Sequence, residues 1–146
     1  MRLLRPASHA LISFALGVLR IVTGVVFAVH GGQKLFVFGF DGVIAGFTQM
    51  GIPLAAVAGP AVALTEFIGG SALILGLLTR PAALGLVGVM TGAIVFAHFP
   101  AGFFLPNGYE FALMLLASAL TFVIVGGGRL SLDAVIADRA LSSGRS

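Results

Sequence analysis

Apolar residues gather into four runs separated by short polar stretches. The first extends from about Ala10 to Val37, with ionisable groups only at Arg20, His30 and Lys34. The second, Leu54 to Leu78, carries one ionisable group, Glu66, near its middle. The third, Ala82 to Phe99, is apolar until His98, and the fourth, about Tyr109 to Val125, has Glu110 at its start. A helix of about 20 apolar residues crosses the hydrocarbon core of a bilayer. The pattern therefore predicts an all-α integral membrane four-helix bundle, one domain over residues 1–146, with spans at about 10–37, 54–78, 82–99 and 109–125. Pro53, Pro81 and Pro106 fall at boundaries, where a missing amide is tolerated, whereas Pro60 lies inside the second run and is expected to kink it or mark its start. Gly126, Gly127 and Gly128 end the last span. Beyond them, residues 131–141 read as a short amphipathic interfacial helix, with Ser131 as cap and Asp133 in the first turn.

Composition agrees: 59% of residues are hydrophobic, 9% are charged, and mean hydropathy is +1.15. With no cysteine, a disulfide framework, a thiol nucleophile and Cys-ligated iron–sulfur or zinc are excluded. The net charge of +3 is small and scattered, which argues against a nucleic-acid partner. The basic residues instead report topology: Arg2, Arg5, Arg80, Arg129, Arg139 and Arg145 fall on one side and Lys34 near the other, so both termini are expected in the cytoplasm. Arg20 would interrupt the apolar region of a cleaved signal peptide, and the first run reads as an uncleaved span.

A carboxylate at the centre of a span costs roughly 2.5 to 3.5 kcal/mol on insertion scales unless something answers it. Counted at 1.5 Å per residue from Arg80 and Ser8, Glu66 and Arg20 lie roughly 21 and 18 Å deep. That match predicts an interhelical pair between them, serving either helix packing or proton handling. A shallower layer holds His30, Gln33, Lys34, His98, Tyr109 and Glu110, with Phe36, Phe38, Phe40, Phe99, Phe103 and Phe104 around it. Each alone is ordinary interfacial chemistry, but their convergence from three helices predicts an outward-facing polar pocket. On the first helix Arg20, Phe27, Gly31 and Lys34 share one stripe. Gly88 and Gly92 have the GxxxG spacing of a helix-packing surface. Val26-Phe27-Ala28-Val29-His30 and Val95-Phe96-Ala97-His98, with Glu-Phe pairs at 66–67 and 110–111, have the form of a duplicated hairpin, although Phe and Ala are abundant enough for coincidence.

The segments His30-Gly31-Gly32-Gln33-Lys34-Leu35-Phe36, Glu66-Phe67-Ile68-Gly69-Gly70, Gly76-Leu77-Leu78-Thr79-Arg80, Asn107-Gly108-Tyr109-Glu110-Phe111 and Gly128-Arg129-Leu130-Ser131-Leu132-Asp133 together resemble the DoxX family of small bacterial membrane proteins. The resemblance spans nearly the whole chain. It implies a multi-pass protein of the bacterial cytoplasmic (inner) membrane, assigned as an oxidoreductase or the membrane subunit of one. Family members are connected with thiosulfate:quinone oxidoreduction, with quinone and thiol stress, and with a complex containing a superoxide dismutase and a sulfurtransferase.

No flavin, nicotinamide or iron–sulfur motif is present in the sequence, so an activity would need partner proteins. The leading expectation is a membrane subunit that interacts with quinone, the candidate cofactor, at the outer pocket. His30, Gln33, Lys34, Asn107 and Tyr109 would bind the quinone-like ligand, and Arg20, Glu66, His98 and Glu110 would relay protons. The alternatives are a non-catalytic scaffold or accessory subunit of a larger complex and, ranked below it, a small transporter that would have to oligomerise. A haem on His30 and His98 and a metal on His30, His98 and Glu110 are both disfavoured, for want of any supporting ligand spacing.

Overall fold

A computed structural model describes residues 7–143, and among these every regular element is helical. Helix α1 spans His9–Gly32 and passes through a π-helical turn, Gln33–Phe38, into α2, Gly39–Gln49. Helix α3 is Ala55–Leu75, and α4 is Thr79–Gly92, which continues as a second π turn, Ala93–His98. A loop containing the short 3₁₀ turn Phe99–Ala101 leads to α5, Glu110–Val125, and the chain ends on α6, Leu132–Ser143. Arg2, Arg5 and Arg145 of the orientation count lie outside the described residues.

Helices α1, α3, α4 and α5 close a ring in which α1 packs on α3, α3 on α4, α4 on α5 and α5 back on α1. Three segments, 9–49, 55–75 and 79–101, are long and apolar enough to cross a membrane, while α5 is apolar but only 16 residues long, roughly 24 Å. Phe27, Leu73, Leu86, Met90 and Phe122 fill the centre. Outward-facing Val22, Val29, Ile68, Leu84, Met114 and Ile124 are exposed. In water this would be an unusually apolar surface, and in lipid it is the expected one.

The closest contact is between α1 and α3. A Cβ at Gly24 would sit 2.7 Å from the Gly70 carbonyl oxygen and 2.8 Å from the Ile74 nitrogen, and one at Gly31 would sit 2.7 Å from the Phe67 Cα. The two backbones touch because these positions have no side chain, which is how small residues bring spanning helices together. The expected stripe is confirmed, since Arg20, Phe27 and Gly31 are all buried on this face.

Two expectations change. Residues 39–49, which lie between the first two predicted spans and were assigned no element, form helix α2, whose Val43 and Ile44 rest against Gly59 of α3. The GxxxG residues of α4 do not make the predicted helix contact: a Cβ at Gly88 or Gly92 would meet nothing within 4 Å. Pro60 stands inside α3, which begins five residues earlier at Ala55.

Candidate functional site

The deep acid has a partner, but it is not Arg20. Lys34 Nζ forms the salt bridge with Glu66 Oε2, their side chains 21% and 5% exposed. The cause is register. Antiparallel packing puts Gly31 beside Phe67 and Gly24 beside Gly70, so Arg20 falls opposite the end of α3, seven to eight residues (roughly 11 Å) away from Glu66. The depth count had started α1 at Ser8, whereas the first turns of α1 are mostly exposed and run past the last turn of α3. Side chains on a helix lean toward its N-terminus, which carries the Lys34 stem back along α1 to Glu66. An interfacial lysine would extend outward to water.

Arg20, 2% exposed, instead serves the opposite end of the bundle. Its guanidinium donates to the carbonyl oxygens of Leu73, of Ile74 at 3.0 Å and of Leu130 at 2.6 Å. Leu73 and Ile74 lie in the last turn of α3, where carbonyls have acceptor capacity left over, the Leu73 oxygen accepting also from the Gly76 amide at 3.1 Å, and where a cation meets the negative end of the helix dipole. Asp133 completes this junction. Its Oδ1 accepts from the Leu78 amide at 2.7 Å, its Oδ2 accepts from the Thr79 amide at 2.9 Å, and its own amide donates to the Gly76 carbonyl at 2.9 Å. Asp133 thus caps α4 from another helix. Burial by itself would raise the Asp133 carboxyl, but hydrogen bonds from Thr79 and the Leu78 amide, with Arg20 nearby, hold it below the ordinary aspartate value. Arg20 and the Gly128–Asp133 exit are therefore parts of one structural latch.

Lys34 and Glu66 face a cavity of about 540 Å³. His30 and Phe27 line it from α1, Phe47 from α2, Val62 from α3, Gly88, Gly92, Phe96 and His98 from α4 and its π turn, and Phe111 and Leu115 from α5. The walls are apolar and the ionisable groups few, which is the usual composition of a small-molecule site. Lys34 lies inside one π turn and His98 ends the other, the local geometry in which π turns often present functional side chains. Both histidines of the Val-Phe-Ala pattern consequently reach one cavity.

The rest of the predicted cup does not assemble there. Glu110 Oε1 accepts the Leu105 amide at 2.7 Å, and Tyr109 stacks on Phe99 at 5.8 Å and meets Phe103 edge-on at 5.3 Å. The Asn107 carbonyl contacts His98 Nδ1 at 3.0 Å, so this loop orients the histidine from outside the cavity. Gln33 is exposed and does not line it. Phe36 packs edge-on against Phe67 at 5.5 Å; the aromatic walls are Phe27, Phe47, Phe96 and Phe111. Among the described residues no group of three or more His, Asp or Glu is placed to hold a metal ion. Phe47, Met50 and Ile52 escaped sequence reasoning; the apolar spacing Val43, Phe47, Met50 was a sign of the helix that carries Phe47 and is capped by Met50.

The DoxX family model matches residues 15–99, which contain both members of the ion pair and the two cavity histidines. "Putative oxidoreductase CatD" of Bacillus subtilis is 34% identical over 125 residues, covering 83% of this chain and 87% of that protein. An uncharacterized protein of Haemophilus influenzae is 37% identical over 82% of this chain and 89% of its own. An uncharacterized membrane protein of Mycobacterium tuberculosis is 32% identical over 86% and 83%. No solved structure matches the chain. With a family model covering more than half of its length and relatives aligned over more than four-fifths of it, this multi-pass membrane protein belongs to the DoxX family.

Proposed function

We propose that this protein is the membrane-embedded subunit of an oxidoreductase system and holds a quinone, or a similar lipophilic redox molecule, in the cavity beside Lys34 and Glu66. The observation that carries the reading is an ion pair between the buried Glu66 and the half-buried Lys34 on the wall of an otherwise apolar cavity, joined by two histidines. The Lys34 ammonium would donate to one ligand oxygen, and His98 or His30 would address the second. Reduction of a quinone takes up two electrons and two protons, and the ligand carries the electrons. The protein's share is to orient the ring and supply protons, with Glu66 as the inner carboxylate of that path. Arg20 and Glu110, tied to backbone groups elsewhere, have no part in it. The name of the Bacillus relative supports the redox class. The electrons come from a partner protein, since no electron-carrying motif stands in the sequence. The excess of basic residues over one set of loops supports an orientation with both termini in the cytoplasm of a bacterial inner membrane and His30 and His98 toward the outer face.

The test is mass spectrometry of small molecules retained after extraction with native lipid, alongside quinone-linked electron transfer in membranes. Wild type should retain a quinone, and Lys34→Met and Glu66→Gln should lose most of it and at least about tenfold of the electron transfer. A preparation without quinone, together with unchanged transfer in both variants, would remove the proposal.

A further inference from the structure

The cavity has an asymmetric boundary. Its charged groups are withdrawn, Lys34 and Glu66 having side chains 21% and 5% exposed, whereas the apolar lining side chains Met50, Phe96 and Phe111 are 47%, 45% and 45% exposed. Two of these rim residues, Phe96 and Phe111, belong to membrane-crossing or apolar helices, and Gly88, further along α4, is both exposed and part of the lining. A mouth opening to water would be framed by polar side chains; apart from His30, the exposed lining residues here are apolar. From Gly88 to Ala97 the cavity follows α4 and its π turn for nine residues, roughly 14 Å, past Gly88 and Gly92, whose missing side chains leave the space open.

We infer that the cavity loads sideways from the bilayer and that its ligand has two parts: a ring with hydrogen-bonding oxygens, seated at Lys34 and Glu66, and a hydrocarbon chain lying along Gly88 and Gly92 toward the lipid. This deepens the function proposed above and rests on it for the ring chemistry alone. A cavity of about 540 Å³ holds a ring and a short length of chain, so a longer chain must extend through the mouth. The chain gains little hydrophobic free energy, because lipid is as apolar as the groove. Its contribution comes from close packing against α4 and from holding the ring in register with the ion pair.

The chain contains no tryptophan, so Phe111→Trp places a single fluorophore in the lining. In nanodiscs, quenching would be titrated with a chain-free benzoquinone, its decyl derivative and a brominated decylbenzene, each expressed as mole fraction in the membrane. The decyl quinone should bind about tenfold tighter than the chain-free one, and Gly92→Leu should abolish that advantage while leaving the chain-free quinone within about twofold. If leucine prevents folding, Gly92→Ala should give a smaller loss in the same direction. Equal affinity of the two quinones, or equal weakening of both by Gly92→Leu, would overturn sideways loading and leave the quinone reading intact. If both quinones were silent while the brominated chain still distinguished wild type from Gly92→Leu, the groove would stand and the quinone reading would fall. Silence from all three probes would overturn the inference.

Discussion

Glycines at helical spacing occur on both α1 and α4, and they do opposite things. On α1, Gly24 and Gly31 bring the backbone against α3 so closely that an added methyl would lie 2.7 Å from a main-chain atom. On α4, a Cβ added at Gly88 or Gly92 would meet nothing within 4 Å, and both positions line the cavity. Removal of a side chain permits contact only where a partner backbone is aimed at the gap. At α1 the aim is set by polar fasteners at both ends of the contact, Lys34 on Glu66 and Arg20 on the last carbonyls of α3. The face of α4 toward the cavity has no such fastener.

The largest effect should follow from forcing the α1 seam apart. In Gly31→Ala the new methyl meets the Phe67 backbone beside Glu66, and main chain cannot yield as a flexible side chain can. A destabilisation of about 3 kcal/mol or more is expected in unfolding measurements in micelles, with loss of retained ligand because the ion pair spans the same contact. Next comes Lys34→Met, which leaves the Glu66 carboxylate buried without its cation and should cost about 3 kcal/mol; Lys34→Met with Glu66→Leu should recover most of this. A double variant no more stable than the single one would show that the two side chains are not coupled, and the seam would lose one fastener.

The seam also shows what could be read from sequence. Glu66 was legible because an acid inside a long apolar run must be answered, whatever the fold. Its partner was not, since depth counting needs a common origin for two helices, and α1 starts several turns before the bundle does. A register error of about two turns exchanged Arg20 for Lys34. The π turns add to this: they rotate Lys34 and His98 in a way a regular helical period does not describe. Helix α2 carries no ionisable group except Asp41 and gave no chemical signal, and the loop before α5 uses Glu110 to hold a backbone amide, the Tyr109 ring to stack and the Asn107 main chain to meet His98, roles that residue type alone does not announce. The four apolar runs, read from their length, and the capped segment after Ser131 are helical over nearly the expected ranges.

At the far fastener, Asp133→Asn tests whether the latch stabilises the seam from outside it. The native carboxyl is held below the ordinary aspartate value of 3.8, so its contribution is present above that value and is lost as pH falls through the folded one. The substitution should cost about 1 kcal/mol at neutral pH, as loss of a charged cap does, and should flatten the fall in stability at acid pH. An unchanged acid limb would mean that other carboxyls carry it.

The smallest effect should come from Gly88→Ala. Its methyl enters open space at the cavity edge, and alanine is the better helix former, so stability should stay within about 0.5 kcal/mol of wild type. Small size makes this measurement the sharper half of the comparison. A loss as large as that of Gly31→Ala, measured under the same conditions, could not arise inside a single copy, where nothing lies within reach of the new atom. It would mean that a helix from a second copy or another protein rests on this face of α4. The open groove would then be an interface, and the glycines of α1 and α4 would do the same work.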